Sequence, residues 1–510
     1  MIVNTVEYLE ITAKKNPENI AFYDEDSQIT FEQLRDTSKR VGSKIIQLLD
    51  GVRNVPVAIL TDRNIKSIIS YFGVLYSGNF YVPINKAFPV HRIKKILEIL
   101  NPKIIIYLSD DDFDVIRKLD FEGKSINLNN ALDTEIDEDR IRTTVEKMID
   151  TDPMYAVFTS GSTGTPKCVL LSHRSVIDIV EQFSLIFDLT SETVFGNVAP
   201  LDYSGSTKDI YITIRNGGKA HIIPKSYFSF PKKLLQYLDI NKINTLNTPV
   251  SALRILANYK AFDTVRPSSL SKFLFFGELM PVKMLNYFQY HYPDALFVNL
   301  YGSTEKTCLA YFIVNRHFTE KESLPIGVPF RNTNIILLND QDQILENEDE
   351  IGEICIRGAF ALGYYNDIQS SEKTFSRNPV NLQYQEKIFR TGDLGKFNSN
   401  GELILVSRMD SQVKHWGYRI ELGEIEIAVN SIDFVDFAFC KFDAEKDKIV
   451  LFYQSGFEKD KELLVLLRNQ FPQYMLPNQV IHYVKFPLKN NMKIDRIKIW
   501  EKYLKNLNTE

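Results

Sequence analysis

Helix-period and strand-period apolar segments alternate over about the first four hundred residues, and this alternation restricts the fold more than any other feature. Strands joined through helices pair in parallel, with helices on both faces, so the chain reads as α/β layers with mostly parallel sheets. A helix is predicted from Phe31 to Leu49, with Thr30 as its N-cap. Strands are predicted at Met154–Phe158, Ala220–Ile223, Lys272–Phe276, Ala295–Asn299, Asn334–Leu338 and Glu353–Ile356. Leu132 to Lys147 reads as a charged connector. Short strands and turn signals between Ile335 and Leu405 predict a small β-rich, barrel-like unit. The pattern changes after Arg408: helix Leu422–Asn430, strands Val435–Phe442 and Ile449–Gln454, helix Lys461–Phe471 and a basic tail helix Asp495–Asn506. Two domains are therefore predicted, a large α/β domain over 1–409 and a small α+β domain over 410–510.

Charge and cysteine content exclude several functions. Sixty basic against sixty-five acidic residues leave a formal charge of −5, with no excess of cations for a nucleic acid or an anionic membrane. Ser67 to Asn85 carries no charge, yet serines, glycines, asparagines and Pro83 interrupt it, so it reads as a core helix running into a strand rather than a membrane span. The four cysteines (Cys168, Cys308, Cys355, Cys440) are far apart and form no metal-ligand spacing. With no signal-peptide core at the N-terminus, the expected location is the cytoplasm.

Directly after a predicted strand comes Thr159-Ser160-Gly161-Ser162-Thr163-Gly164-Thr165-Pro166-Lys167. Hydroxyls and glycines at this density leave backbone N–H groups open to a phosphate chain, and the lysine adds a mobile cation. Pro166 and Cys168 around the lysine exclude a Walker A loop, and a plain turn-rich surface loop is the alternative. Asn299-Leu300-Tyr301-Gly302-Ser303-Thr304-Glu305 sets a ring, hydroxyls and a carboxylate within one short segment. Arg390-Thr391-Gly392-Asp393 offers an acid for ribose hydroxyls, and Ser407-Arg408-Met409-Asp410 leads into Lys414, Gly417 and Gly423-Glu424.

Together these segments resemble the adenylate-forming superfamily, in particular the adenylation domains of nonribosomal peptide synthetases and their stand-alone relatives. The resemblance runs from residue 30 to residue 496 in the family's order. It implies joining a carboxylic acid to ATP with release of pyrophosphate, then transfer of the acyl group to a thiol. By motif, Thr159, Ser160, Gly161, Ser162, Thr163, Gly164 and Lys167 would hold the β- and γ-phosphates. Tyr301 would stack on adenine, with Gly277, Glu278, Asn299 and Gly302 around the nucleotide. Thr304 would contact phosphate, Glu305 would hold Mg²⁺, and Asp393 would take the ribose hydroxyls beside Arg408. Lys493 matches the lysine that reaches from a mobile small domain to the substrate carboxylate and the α-phosphate. Asp410 matches the hinge, and Lys414 and Gly417 the face that serves thiol transfer.

Asp202 matches the aspartate that pairs with an α-ammonium, which implies an amino acid substrate. The side-chain pocket implied by alignment is Tyr203, Ser206, Asn247, Leu274, Phe276, Leu300, Cys308 and Leu309. With no charged residue in that set, a small or medium neutral amino acid is expected. The chain lacks a phosphopantetheine attachment site and a condensation motif, so a monomer loading a phosphopantetheinylated carrier protein in trans is expected. D-Alanine–carrier-protein ligases have this size and layout, although Phe276 stands where they place a cysteine. Other departures are Cys168, Ser407 and Met492 in place of glycine, Ser303 in place of proline, and His415-Trp416 ahead of Gly417. An acyl-CoA ligase acting on a non-amino acid, and a nucleotide-binding scaffold without turnover, are the competing readings.

Overall fold

The computed structural model describes residues 2–161, 165–319, 322–409, 412–487 and 494–507. Contacts divide the chain into two compact units. The first comprises Met1–Lys86, Ile96–Phe158 and Cys168–Asp410, and the second Ala87–Lys95, Thr159–Lys167 and Ser411–Glu510.

The first unit is built on two large sheets. In the nine-stranded sheet, strands Ile20–Tyr23, Lys219–Ile222, Val194–Asn197, Thr245–Pro249, Lys272–Phe276 and Leu296–Tyr301 lie parallel in that spatial order. Gln28–Thr30 closes one edge antiparallel, and Ala310–Ile313 with Val328–Pro329 closes the other. The seven-stranded sheet has a parallel core of Pro153–Thr159, Phe80–Asn85, Pro56–Thr61, Ile104–Tyr107 and Lys124–Asn127. Strands such as Pro56–Thr61 are buried at every position, which is why they read as continuous apolar runs. The uncharged stretch resolves into helix Ile65–Tyr76, buried at nearly every position, and strand Phe80–Asn85. No helix among the described residues is long and apolar enough to cross a membrane.

Thr30 caps helix Phe31–Leu48 as its sequence predicts. Its hydroxyl accepts from the Gln33 N–H at 3.1 Å, and the Gln33 side chain accepts from the Thr30 N–H at 3.1 Å. The connector expected over 132–147 contains a helix, Glu138–Glu146, capped by Asp137 and docked through the buried Ile141. Its charged faces concealed that periodicity. The β-rich segment is a four-stranded antiparallel sheet, Thr333–Leu338, Gly352–Gly358, Phe389–Phe397 and Leu403–Arg408. Among the described residues it is open rather than barrel-like, since its first and last strands do not pair.

In the second unit, Phe437–Asp443, Lys448–Gln454 and Gln479–Tyr483 form one sheet. Helices Leu422–Asn430 and Asp460–Arg468 pack through Ile425, Val429, Leu463 and Leu467 into one core, and Ile499 and Tyr503 of helix Arg496–Leu507 into another. A hairpin of Gln412–His415 and Tyr418–Glu421 turns at Trp416 (φ 53°) and Gly417 (φ 81°), the two positive-φ positions of a type I′ turn.

Candidate active site

Strands of a parallel sheet deliver their C-terminal ends to one edge, where ligands bind in open α/β folds. Phe276 and Leu300 are register partners at that edge. Beyond Leu300 the chain continues through Tyr301 into the turn that carries Gly302, Ser303, Thr304 and Glu305. The predicted adenosine residues meet here. The Tyr301 hydroxyl donates to Asp393 Oδ2, and the Arg408 guanidinium donates to Asp393 Oδ1. Asp393 and Arg408 come together because they are register partners on neighbouring antiparallel strands. The same guanidinium donates to the Thr391 carbonyl at 3.3 Å, and the Thr391 hydroxyl anchors the turn on the Ile354 carbonyl at 2.7 Å. Burial, followed by the adjacent Asp393 charge, pushes the Tyr301 phenol well above its ordinary value, so it remains a hydrogen-bond donor.

Glu305 is buried, and one of its carboxylate oxygens accepts from the Tyr364 hydroxyl at 2.9 Å. No cluster of three or more His, Cys, Asp or Glu that could hold a metal occurs among the described residues. A single carboxylate suits Mg²⁺, which commonly takes one or two protein oxygens and completes its shell with phosphates and water. Asn299 and Glu278 have structural partners. The Asn299 amide donates to the Pro325 carbonyl at 2.8 Å, and Glu278 pairs with Arg254 at 3.3 Å.

In the phosphate-loop segment, Ser162, Thr163 and Gly164 lie outside the described residues, as do Asp410, Met492 and Lys493. On the described part, a Cβ added at Gly161 would sit 2.0 Å from the Thr165 carbonyl oxygen, so the loop closes on itself only around glycine. Within the second unit, the buried Ser160 hydroxyl donates to the Arg419 carbonyl and accepts from the Glu421 N–H, both at 2.8 Å.

A narrow pocket of about 20 Å³ opens at the sheet edge, lined by Tyr203, Ser204, Gly205, Lys208, Phe276, Gly277, Leu300, Gly302, Ser303, Thr307 and Cys308. Tyr203, Phe276, Leu300 and Cys308 are among the residues predicted for the side-chain site; the others predicted there lie elsewhere. Leu274 and Leu309 are fully enclosed in the core. The Asn247 amide donates to Asp209 Oδ1 at 2.6 Å, and the Ser206 hydroxyl donates back to the Tyr203 carbonyl at 2.9 Å. Asp202 does not line this pocket; it is partly buried and accepts from the Asn85 amide at 3.4 Å. Burial raises its carboxyl above the ordinary range.

The lining also corrects the expectation of an uncharged pocket, because Lys208 belongs to it. Alignment selected Ser206, but a helix begins at Gly205. In a helix, residues three and four apart share a face, so Ser204, Gly205 and Lys208 line up while Ser206 turns aside. Helical periodicity across Gly205–Asn216 was the signal that could have found Lys208.

The family described as AMP-binding enzyme matches residues 9–365. The chain belongs to this family of AMP-binding enzymes. It is an adenylate-forming ligase, and such enzymes use ATP. The chain is similar to the D-alanine–D-alanyl carrier protein ligase of Bacillus cytotoxicus, 27% identical over 508 residues that cover 97% of this chain and 98% of that one. The ligase of the same name from Staphylococcus aureus is 28% identical over 512 residues, 98% of this chain and 99% of that one. The fold matches an NRPS protein containing adenylation and PCP domains at TM-score 0.83 and 20% identity, over 98% of this chain and 97% of the other. It also matches an adenylation domain of Vibrio cholerae in complex with glycyl-adenosine-5′-phosphate, at TM-score 0.81 and 19% identity over 99% and 98%. The four cysteines of this AMP-binding enzyme are all buried and unpaired with one another, and burial pushes the Cys168 thiol up.

Proposed function

We propose that this enzyme activates an amino acid as aminoacyl-AMP and then transfers it to the phosphopantetheine thiol of a separate carrier protein. The observation that carries the reading is the hydrogen-bonded cluster of Tyr301, Asp393 and Arg408, in which Tyr301 stands in the chain between the pocket-lining residues Leu300 and Gly302. Each Asp393 oxygen has a second lone pair free of its protein donor, enough to take the two ribose hydroxyls. The Tyr301 ring then lies against adenine. A carboxylate oxygen of the substrate attacks the α-phosphorus, the bond to the β-phosphate oxygen breaks, and pyrophosphate leaves. In the second step the thiol sulfur attacks the acyl carbon, AMP leaves and the thiol proton is released.

Two anions must approach each other in the first step, so charge neutralisation and positioning dominate the catalysis. Lys493 supplies the cation at the reacting carboxylate, and Lys167 with the glycines and hydroxyls of 159–167 holds the outgoing phosphates. Thr304 contacts phosphate, and Glu305 would hold Mg²⁺, which neutralises phosphate charge when bound. Asp202 takes the α-ammonium. Residues 410–510 act as a mobile domain hinged at Asp410, with Lys414 and Gly417 on the face used for thiol transfer. A cytoplasmic monomer is the working form.

The names of the curated relatives support a carrier protein as acceptor, and the alanine in those names suits a pocket of about 20 Å³. The test is exchange of labelled pyrophosphate into ATP over L- and D-amino acids, aryl acids and fatty acids, followed by thioester formation on a phosphopantetheinylated carrier protein. Exchange with amino acids alone, lost in Lys493→Ala, is expected. Exchange with aryl or fatty acids only, with coenzyme A as acceptor, would overturn the reading.

A further inference from the structure

Phe276 ends its strand at the pocket edge, and its ring is fixed from several directions. The chain turns away directly after it, at Gly277 (φ 96°). At the ring tip, a Cβ added at Gly205 would stand 2.9 Å from Phe276 Cζ and 2.9 Å from Tyr203 Cδ1 and Cε1. The two rings therefore fill the space that a side chain at the helix start would take. Over the ring face, Lys208 Nζ lies 4.7 Å from the ring centre. The neighbouring buried Asp209 carboxylate favours that ammonium, and the electron-rich ring face adds to the attraction. The facing walls are also held. Leu300 is the register partner of Phe276, and the Cys308 thiol donates to the Tyr301 carbonyl at 3.5 Å. What remains is about 20 Å³, little more than one water molecule needs.

We propose that Phe276, wedged between Gly205 and Lys208, is the specificity-determining residue that limits the substrate side chain to a hydrogen atom or a single methyl group. The proposal rests on the adenylation reading above and assigns the size limit of its pocket to one side chain. Of the two rings in the lining, Tyr203 is only partly buried, whereas Phe276 belongs to the core. A methyl group is close in size to a water molecule and fits the space as it stands. Each further carbon has to displace a wall, and forcing extra methylenes into a packed site is destabilising. The ring cannot yield alone, because its tip meets the helix start and its face carries the Lys208 ammonium, so one of these must move with it.

The test compares glycine, alanine, 2-aminobutyrate, valine and leucine, each as both enantiomers where they exist, in pyrophosphate exchange by the intact chain. In the wild type, kcat/KM for glycine or alanine should exceed that for 2-aminobutyrate by roughly 10-fold or more, and that for valine by roughly 100-fold or more. Phe276→Leu should narrow the alanine-to-valine ratio by about 10-fold. Phe276→Ala should bring it near unity through a rise for valine, not only a loss for alanine. As a readout without turnover, valyl-sulfamoyl adenosine should bind Phe276→Ala more tightly than wild type, and the alanyl analogue should not. The conservative Phe276→Leu keeps the comparison decisive where Phe276→Ala fails to fold. If the wild type takes valine or leucine as well as alanine, the size limit is overturned while adenylation stands. If the wild type shows the limit and the variants still exchange with glycine yet keep it, the assignment to Phe276 is overturned. If no amino acid supports exchange, the adenylation reading falls and the size limit with it.

Discussion

The proposed adenosine end of the site and the pocket are built in opposite ways. Tyr301, Asp393 and Arg408 come from a strand end and two paired strands, and each is an obvious chemical group in a short contiguous motif. The pocket draws on a helix start, two strand ends and the turn after Tyr301, with ordinary side chains from each. Where function is carried by a strong group in a compact motif, the chain can be read locally. Where it depends on which face of an element looks inward, one misplaced element boundary changes the answer.

The largest expected effect breaks the adenosine end alone. Asp393→Ala leaves Arg408 and the Tyr301 hydroxyl without their shared acceptor, in a site where both partners are largely enclosed. Removing one partner of a buried pair costs about 3–5 kcal/mol. We expect the KM for ATP to rise about 100-fold or more, with the ranking of amino acids unchanged. Steady-state exchange kinetics with ATP and amino acid varied in turn would check this, and a changed ranking would mean that the two ends are not separate.

That separation also accounts for what was legible in the sequence. Thr30 as a cap, strand Lys272–Phe276 and helix Leu422–Asn430 could be read because cap chemistry, continuous burial and amphipathic period are local properties. The clustering of Tyr301 with Asp393 is not local: it needs the four-stranded sheet to return beside the strand end, and only the resemblance pointed to it. Lys208 was missed because the alignment gave Ser206 as the pocket residue, whereas the helix from Gly205 brings Lys208 to the lining. Leu274 came with the aligned pocket positions; it shares a strand face with Phe276 but lies one pleat further from the strand end and is enclosed. Helix Glu138–Glu146 was hidden by its charged surface.

A second, smaller perturbation belongs to the phosphate segment. Gly161→Ala would drive a methyl group into the Thr165 carbonyl, which the loop cannot absorb without opening. We expect a rise in the KM for ATP of roughly 10- to 100-fold, with a melting temperature within about 2 °C of wild type because the strain is confined to one short loop outside the two large sheets. A large drop in melting temperature instead would make this glycine a structural requirement of the fold rather than of the nucleotide site.

The pocket end can be sharpened through pH. Burial raises the Asp209 carboxyl to about 7, although hydrogen bonds from Asn247 and Asn197 pull it back down. Between about pH 4 and 7 the unfolded chain has already released a proton that the folded chain keeps, so stability falls as pH rises through that window and levels off above it. Asn247→Ala removes one of the two donors that favour the charged form. The decline should then continue beyond pH 7, with a further loss of about 1–3 kcal/mol at pH 8. Thermal unfolding of both proteins from pH 5 to 8 would measure it. Because Asn247 turns to Asp209 rather than into the pocket, amino acid preference should not change. A shifted preference would restore it to the substrate site.

The smallest effect discriminates within the adenosine cluster. Tyr301→Phe keeps the ring and deletes the hydroxyl that donates to Asp393. If the ring serves by stacking on adenine and the hydroxyl serves only to orient the acid, the loss is that of one hydrogen bond to a charged group, about 1.5–3 kcal/mol at most. Arg408 still holds the other carboxylate oxygen, which should reduce the effect to about a fivefold rise in the KM for ATP, with kcat nearly unchanged. An effect as large as that of Asp393→Ala would mean that Arg408 alone cannot hold the carboxylate, and that the phenol fixes its rotamer. An unchanged KM would assign the whole contribution of Tyr301 to its ring, leaving Arg408 to position Asp393.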